Sequence, residues 1–290
     1  MGKITTASRL GLVLACCLGH WGCAGKLTAW AAGNLVQDVA QATAKHDDMV
    51  LVGRAAPTFL LLMEGLLESN PGNSQLLLGL CEGYVSYGTL VEAEDPQRAR
   101  ALYKRAMDYG RQALAKNKKI GPLLDAPYGE FVGLEQYLKD DQVAQVFWAA
   151  SSWGAWISLS TDSMAALAQL PKVIYLMEWI LERDETFFNG SPHVFLGVYH
   201  AALPPMLGGN PEKSRAHFER ARQLSQGQVL MVDVQMARFY ARQIFDRDLY
   251  VQLLEQVVAA PLDQPPELTL QNTAAQAMAR KLLNETDDFF

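Results

Sequence analysis

The chain is short of isoleucine, with 6 against 41 leucines among 290 residues, and it carries only 4 cysteines. Abundant Leu, Ala, Glu, Gln, Arg and Met beside so little Ile favour helices over strands, which select side chains branched at Cβ. Cys16 and Cys17 stand in the segment read below as a leader, so Cys23 and Cys81 alone remain and a disulfide framework is excluded. There is no G-x-S-x-G elbow, H-E-x-x-H, phosphate loop, G-x-G-x-x-G or S-x-x-K pair, so no reaction is specified and an enzyme is not expected. Basic charge is also lacking. The formal net charge is -6; without Lys3 and Arg9, which stand in a leader free of Asp and Glu, 23 basic residues face 31 acidic ones, near -8. Nucleic acid is thereby disfavoured as a partner, since phosphate neutralisation needs a basic surface.

Long apolar runs are missing too. Leu10 to Leu18 spans nine residues, whereas a transmembrane helix needs about 20. No later window offers 18 uncharged apolar residues, so the rest of the chain is expected to be soluble. Residues 1–22 instead read as a secretory signal, with Lys3 and Arg9 as the basic start and Leu10 to Leu18 as the apolar stretch. Gly22 followed by Cys23 has the form of a lipoprotein signal, whose cysteine receives a diacylglycerol and an acyl chain. Acyl methylenes contribute about 0.8 kcal/mol each to anchoring. Cys16 or Cys17 as the acceptor, or plain cleavage, are the alternatives, because His20 and Trp21 depart from the usual residues before the cysteine.

The mature part, 23–290, reads as one all-α domain. Asn73 caps a helix from Ser74, Asp95 and Pro96 open the next, and Asn210 and Pro211 repeat that start signal. Further helices are expected near 27–43, 57–69, 141–160, 171–183, 192–206, 228–244, 247–259 and 267–285. Ala99, Tyr103 and Ala106 have the small, aromatic, Ala spacing of the second helix of a tetratricopeptide unit. Ser214, Phe218 and Ala221 share it, and Val173, Met177, Ile180 and Tyr250, Leu254, Val257 are degenerate versions. Leu78 with Gly79, Trp153 with Gly154, and Leu196 with Gly197 are candidate first-helix pairs. The expected architecture is tetratricopeptide-like helical hairpins packed as a compact α-solenoid.

Two constellations are candidates for binding. Trp153 and Trp156 lie in SSWGAWISLS, where Ser158 and neighbouring serines bring hydroxyls near indoles. With His193 and Tyr199 they make a candidate ligand pocket; the alternative is core packing with the hydroxyls bonded to backbone carbonyls. The basic run containing Arg98, Arg100, Lys104 and Arg105, and continuing through Arg111 to Lys119, is either a solvated helix face or a docking surface for an acidic partner or lipid headgroups. His193 and His200, two helical turns apart, are too distant to share a metal, and no metal is expected.

GCAGKLTAWAAGNLV, ARALYKRAMDYGRQAL, SSWGAWISLS, GSPHVFLGVYHAALPPMLGGNPEKSRAHFERARQLSQG and ARKLLNETDDFF, in that order, resemble the T-component family of tripartite ATP-independent periplasmic (TRAP) transporters. The resemblance implies a periplasmic lipoprotein, lipidated at Cys23, that works beside the extracytoplasmic substrate-binding subunit and is not an enzyme. It also implies self-association, with a trimer as first expectation, and a small hydrophobic or organic-acid ligand. Ala24 lacks the Asp of inner-membrane retention and points to the outer membrane. A general scaffold lipoprotein for envelope assembly is the competing reading.

Overall fold

The computed structural model describes residues 36–290 except 205 and 207, so the leader, Cys23 and the start of the 27–43 helix lie outside the described residues. Among the described residues every regular element is helical, as the composition requires. After α1, seen over 36–44, come α2 (Met49–Ser69), α3 (Ser74–Val91), α4 (Pro96–Ala115), α5 (Gly121–Asp125) and α6 (Tyr128–Phe131). Two 3-10 turns then lead to α7 (Val143–Ser158), α8 (Met164–Leu167), α9 (Leu170–Asp184), α10 (Phe187–Ala202) and α11 (Pro211–Leu224). The chain ends with α12 (Met231–Gln235), extended by a π-helical segment Met236–Ala241, then α13 (Arg247–Ala259) and α14 (Thr269–Asn284).

The expected caps are in place. Asn73 Oδ1 accepts from the Gln75 and Leu76 amides at 2.9 and 3.2 Å, Asp95 Oδ1 from Arg98 at 2.9 Å, and Asn210 Oδ1 from Lys213 at 2.9 Å. Each satisfies amides that the first helical turn leaves without a partner. Two boundaries differ. The helix expected to open near Pro57 starts instead at Met49, capped by Asp48, whose carboxylate accepts from the Leu51 amide, and runs through the proline. Proline forfeits one helical hydrogen bond; packing of Leu60 and Met63 further along the same helix holds it in place. In α10, Phe188, Asn189 and Gly190 take left-handed φ of 46°, 57° and 79°, so the regular helix begins around Pro192. That backbone is costly for Phe188, and contacts of Phe187 and Phe188 with Phe147 and Trp148, at ring separations of 5.2 to 5.9 Å, hold it. Met49–Ser69 and Met164–Asp184 are long and apolar enough by length and composition to cross a membrane, although both carry charged residues and neither is an uncharged run. The second is interrupted at Ala168 and Gln169 and contributes much of its surface to the core. Along α2, Val50, Leu51, Leu61 and Leu62 face outward.

Helices pack chiefly on their chain neighbours: α3 on α4, α4 on α7, α7 on α9, α10 on α11, and α13 on α14. All twelve residues of the four small-aromatic-small stripes are buried. The reason is close approach. A Cβ at Gly88 would lie 2.5 Å from the Tyr103 ring, one at Gly154 2.5 Å from Phe195, and one at Gly197 3.0 Å from Phe218, so bare backbone admits each aromatic. A fully buried Phe side chain contributes about 1.5–3 kcal/mol. Cys81 is a buried small hydrophobe whose Sγ donates to the Trp148 carbonyl at 3.3 Å, and burial pushes its thiol up to about 12. The buried residues form two clusters, one from Leu60 to Leu196 and one from Phe218 to Leu282, joined through α10, whose Leu196 faces the first while Val194 and Val198 face the second. Lys45 pairs with Glu267 at 3.3 Å, so the start of the described chain meets its last helices.

Candidate functional site

Trp153 lies on α7 in the N-terminal core. The ring is fully buried, its Nε1 donates to Gln169 Oε1 at 2.8 Å, and Phe131 meets it edge-on at 6.2 Å. Two cations approach the same indole: the Arg111 guanidinium of α4 at 5.0 Å and the Lys172 ammonium of α9 at 5.8 Å. Lys172 also lies 5.2 Å from the Phe131 ring and donates to the Leu124 carbonyl at 3.2 Å. Cations over aromatic faces are attracted by the ring quadrupole. Burial pushes the Lys172 ammonium below its ordinary range, and the Arg111 charge adds to the shift. Arg111 is paired with the carboxylate of Asp125, at the end of α5. Arg111 belonged to the predicted basic run, whereas Lys172 carried no sequence signal beyond being a lysine in an otherwise apolar turn.

The other residues expected beside Trp153 stand elsewhere. Trp156 is half-buried against the N-terminal cluster, and its carbonyl accepts from Ser160 Oγ at 2.7 Å. Ser158 is exposed and donates to the Ala155 carbonyl at 2.8 Å, and Ser152 does the same to Ala149 at 3.0 Å. These hydroxyls thus bond to backbone. His193 lies at the α10–α11 junction. Its Nδ1 is 2.8 Å from Nδ1 of His217, one ring donating and the other accepting, while Nε2 is 3.4 Å from Glu185 Oε2. Arg220 Nε donates to the same carboxylate oxygen at 3.0 Å. Tyr199 packs on His200 at 4.9 Å, and His200 stacks on His217 at 5.7 Å. Burial pushes all three imidazoles down, His217 to about 4 with help from the charges of His193 and His200. His217 supplies the neighbour that the spacing of His193 and His200 could not reveal. Among the described residues no three His, Cys, Asp or Glu side chains are grouped to hold a metal.

The four cations proposed as a partner surface are each engaged within the fold. Arg98 donates to Tyr87 Oη at 2.8 Å, Arg100 pairs with Asp162 at 3.3 Å, Lys104 with Asp108 at 2.5 Å, and Arg105 with Glu64 at 2.8 Å. Glu64 also accepts from Tyr84 and Tyr109 at 2.8 and 2.7 Å, binding α2 to α3 and α4. Burial would raise that carboxyl, but the three donors hold it below the usual range. Two surface clefts flank α11, one beside Arg222 and Gly227 and the other between Arg215, Tyr240 and Ile244.

No curated protein matches the chain. A family model described as the TRAP transporter T-component matches residues 45–290, which takes in every helix from α2 to α14 and both site clusters. With the match covering most of the chain and the fold wholly helical where described, the protein belongs to the TRAP transporter T-component family.

Proposed function

We propose that the protein is a non-enzymatic, lipid-anchored periplasmic adaptor that binds the substrate-binding subunit of a TRAP transport system. The observation that carries this reading is the family match over residues 45–290, which associates the chain with a TRAP system. The leader ending at Gly22 and Cys23 supports an envelope location, with the diacylglycerol and acyl chain on Cys23 as the anchor and the outer membrane as its place. Helices stacked on their chain neighbours leave extended surfaces suited to protein partners. The ligand of such an adaptor is a small organic acid or hydrophobic compound.

Co-purification of the full chain with the cognate substrate-binding subunit is the test. Retention at micromolar concentration supports the adaptor, whereas two folded proteins that do not associate overturn it. Metabolic labelling with an acyl-chain analogue checks the anchor: Cys23→Ala abolishes the label, and a label that survives the change refutes the assignment to Cys23.

A further inference from the structure

We propose that the outward face of α2 lies against the lipid bilayer, as a second and purely apolar contact beside the acyl anchor. This rests on the reading of Cys23 as the anchored residue and adds a protein surface to it.

The face itself is the first observation. Val50, Leu51, Leu61 and Leu62 are between 52% and 66% exposed, and Ala55 and Thr58 are exposed between them. Arg54 is the only charged residue from Met49 to Met63. α2 packs chiefly on α3 and touches α14 only slightly, so among the described residues no helix covers these side chains. A contiguous apolar stripe of this kind marks an interaction site, unlike apolar residues scattered singly over a surface.

The opposite face decides how a bilayer is met. Leu60 and Met63 are buried in the core, and Glu64 is held by Tyr84, Tyr109 and Arg105. α2 therefore stays in the fold and, though long and apolar enough to cross a membrane, can only lie on one. Helices in the interface sink their apolar face about 5–10 Å into the boundary between headgroups and acyl chains. Arg54 can bury its apolar stem there and keep its guanidinium among the headgroups.

Tether and area identify the occupant. Val36 and the Met63 side chain both come within 3.0 Å of a Cβ placed at Gly79, so the described chain begins beside α2. The stretch from Cys23 to Val36, whatever its conformation, reaches at most about 45 Å. An anchor at Cys23 thus keeps α2 near the bilayer, where tethering raises the effective concentration to about millimolar and a weak contact is enough. A second copy of the chain is a poorer fit. From Val50 to Leu62 the helix rises about 18 Å, so a stripe about 10 Å wide offers roughly 200 Å², whereas a stable dimer buries about 800 Å² on each partner. With 31 acidic against 25 basic residues the chain gains nothing from anionic headgroups, which leaves apolar burial as the driving force.

The test places a polarity-sensitive fluorophore at Leu62→Cys in the mature, acylated chain, reconstituted in vesicles of phosphatidylethanolamine with phosphatidylglycerol. Cys81 is buried and takes no label. Emission should shift to the blue and fall by about half with nitroxide lipids labelled about 5–10 Å below the headgroups, while a label at the exposed Glu212→Cys on α11 responds to neither. Adding Leu51→Glu with Leu61→Glu should abolish the shift with an unchanged circular dichroism spectrum, since these positions face outward. Water-like emission from position 62 in chains that float with the vesicles overturns the proposal, as does an equal response at both labels or a shift that survives both glutamates. Disulfide-linked pairs of Leu62→Cys in place of the shift also overturn it, in favour of a second copy. If the chain carries no acyl group and does not float, the anchor reading fails alone. The same label is then read against vesicles at millimolar lipid, where a blue shift upholds the apolar contact and its absence overturns it.

Discussion

Around Trp153 the N-terminal cluster takes in two cations, Arg111 and Lys172, whereas the C-terminal cluster takes in two neutral amides, Asn272 and Gln276. The amides are fully employed. Asn272 accepts from the Leu230 amide at 3.1 Å and donates to the Gln228 and Leu262 carbonyls at 3.0 and 3.3 Å. Gln276 donates to the Val258 and Ala260 carbonyls at 3.1 and 2.8 Å. Both tie down backbone groups that loops and helix ends leave open, at no cost in buried charge. Lys172 meets one carbonyl and repels Arg111. The one buried charge beside the C-terminal amides, Asp233, faces an opposite charge, Arg222 at 2.8 Å, whereas Lys172 in the N-terminal cluster has a carbonyl for a partner and a second cation beside it.

The largest expected effect tests whether both clusters are equally well packed. Trp153→Ala and Phe218→Ala should each cost about 3–5 kcal/mol in urea unfolding. A much smaller loss at Trp153 would mean that the N-terminal core is loose, and the contrast would then be one of packing. Next comes Asn272→Ala, expected to cost about 1–3 kcal/mol because the buried Leu230 amide and two part-buried carbonyls lose their partner. Tolerance of that change would break the claim that the amides are structural.

The junction between the clusters should respond to acid. Unfolded histidine titrates near 6.5, and the folded values of His193, His200 and His217 lie lower, that of His217 at about 4. The unfolded chain therefore binds more protons in this window. The contribution is whole above pH 6.5 and is lost as the pH falls through 4. Urea midpoints across pH 4 to 7 should fall more steeply for the wild type than for His217→Gln; parallel curves would remove the histidines from the account.

Smaller still, Lys172→Met should shift stability by no more than about 1 kcal/mol, since a well-packed apolar isostere relieves a buried, half-paired charge. A large loss would make Lys172 a structural fastener like Asn272 and erase the difference between the clusters. The smallest effect belongs to Arg100→Ala, which removes an exposed pair with Asp162 worth about 0.2–1 kcal/mol. A loss outside that range would make the basic face of α4 more than a solvated surface.

Much of the fold was legible because its signals are local. Asn73, Asp95 and Asn210 act within three residues of themselves, and a stripe such as Ala99, Tyr103, Ala106 is set by the helical period. Pro57 misled because a local rule was outweighed by an upstream cap at Asp48 and by packing along the rest of the helix. The site was less legible. Trp153 stood out by its segment, but its partners come from α4, α5, α6 and α9, so nothing near it in the chain names Arg111 or Lys172. His193 likewise acquires its nearest imidazole, His217, from the following helix.

By itself, then, the sequence determined that the described chain is helical, where its helices are capped, which faces they bury and which family they belong to, since each depends on residue type and spacing along one helix. Only the tertiary structure decided which side chains meet: that Trp153 gathers two cations, that the basic run is dispersed among separate acceptors, and that three histidines converge at a junction. Desolvation and Coulomb energies depend on burial and on distances between elements, which no single helix contains.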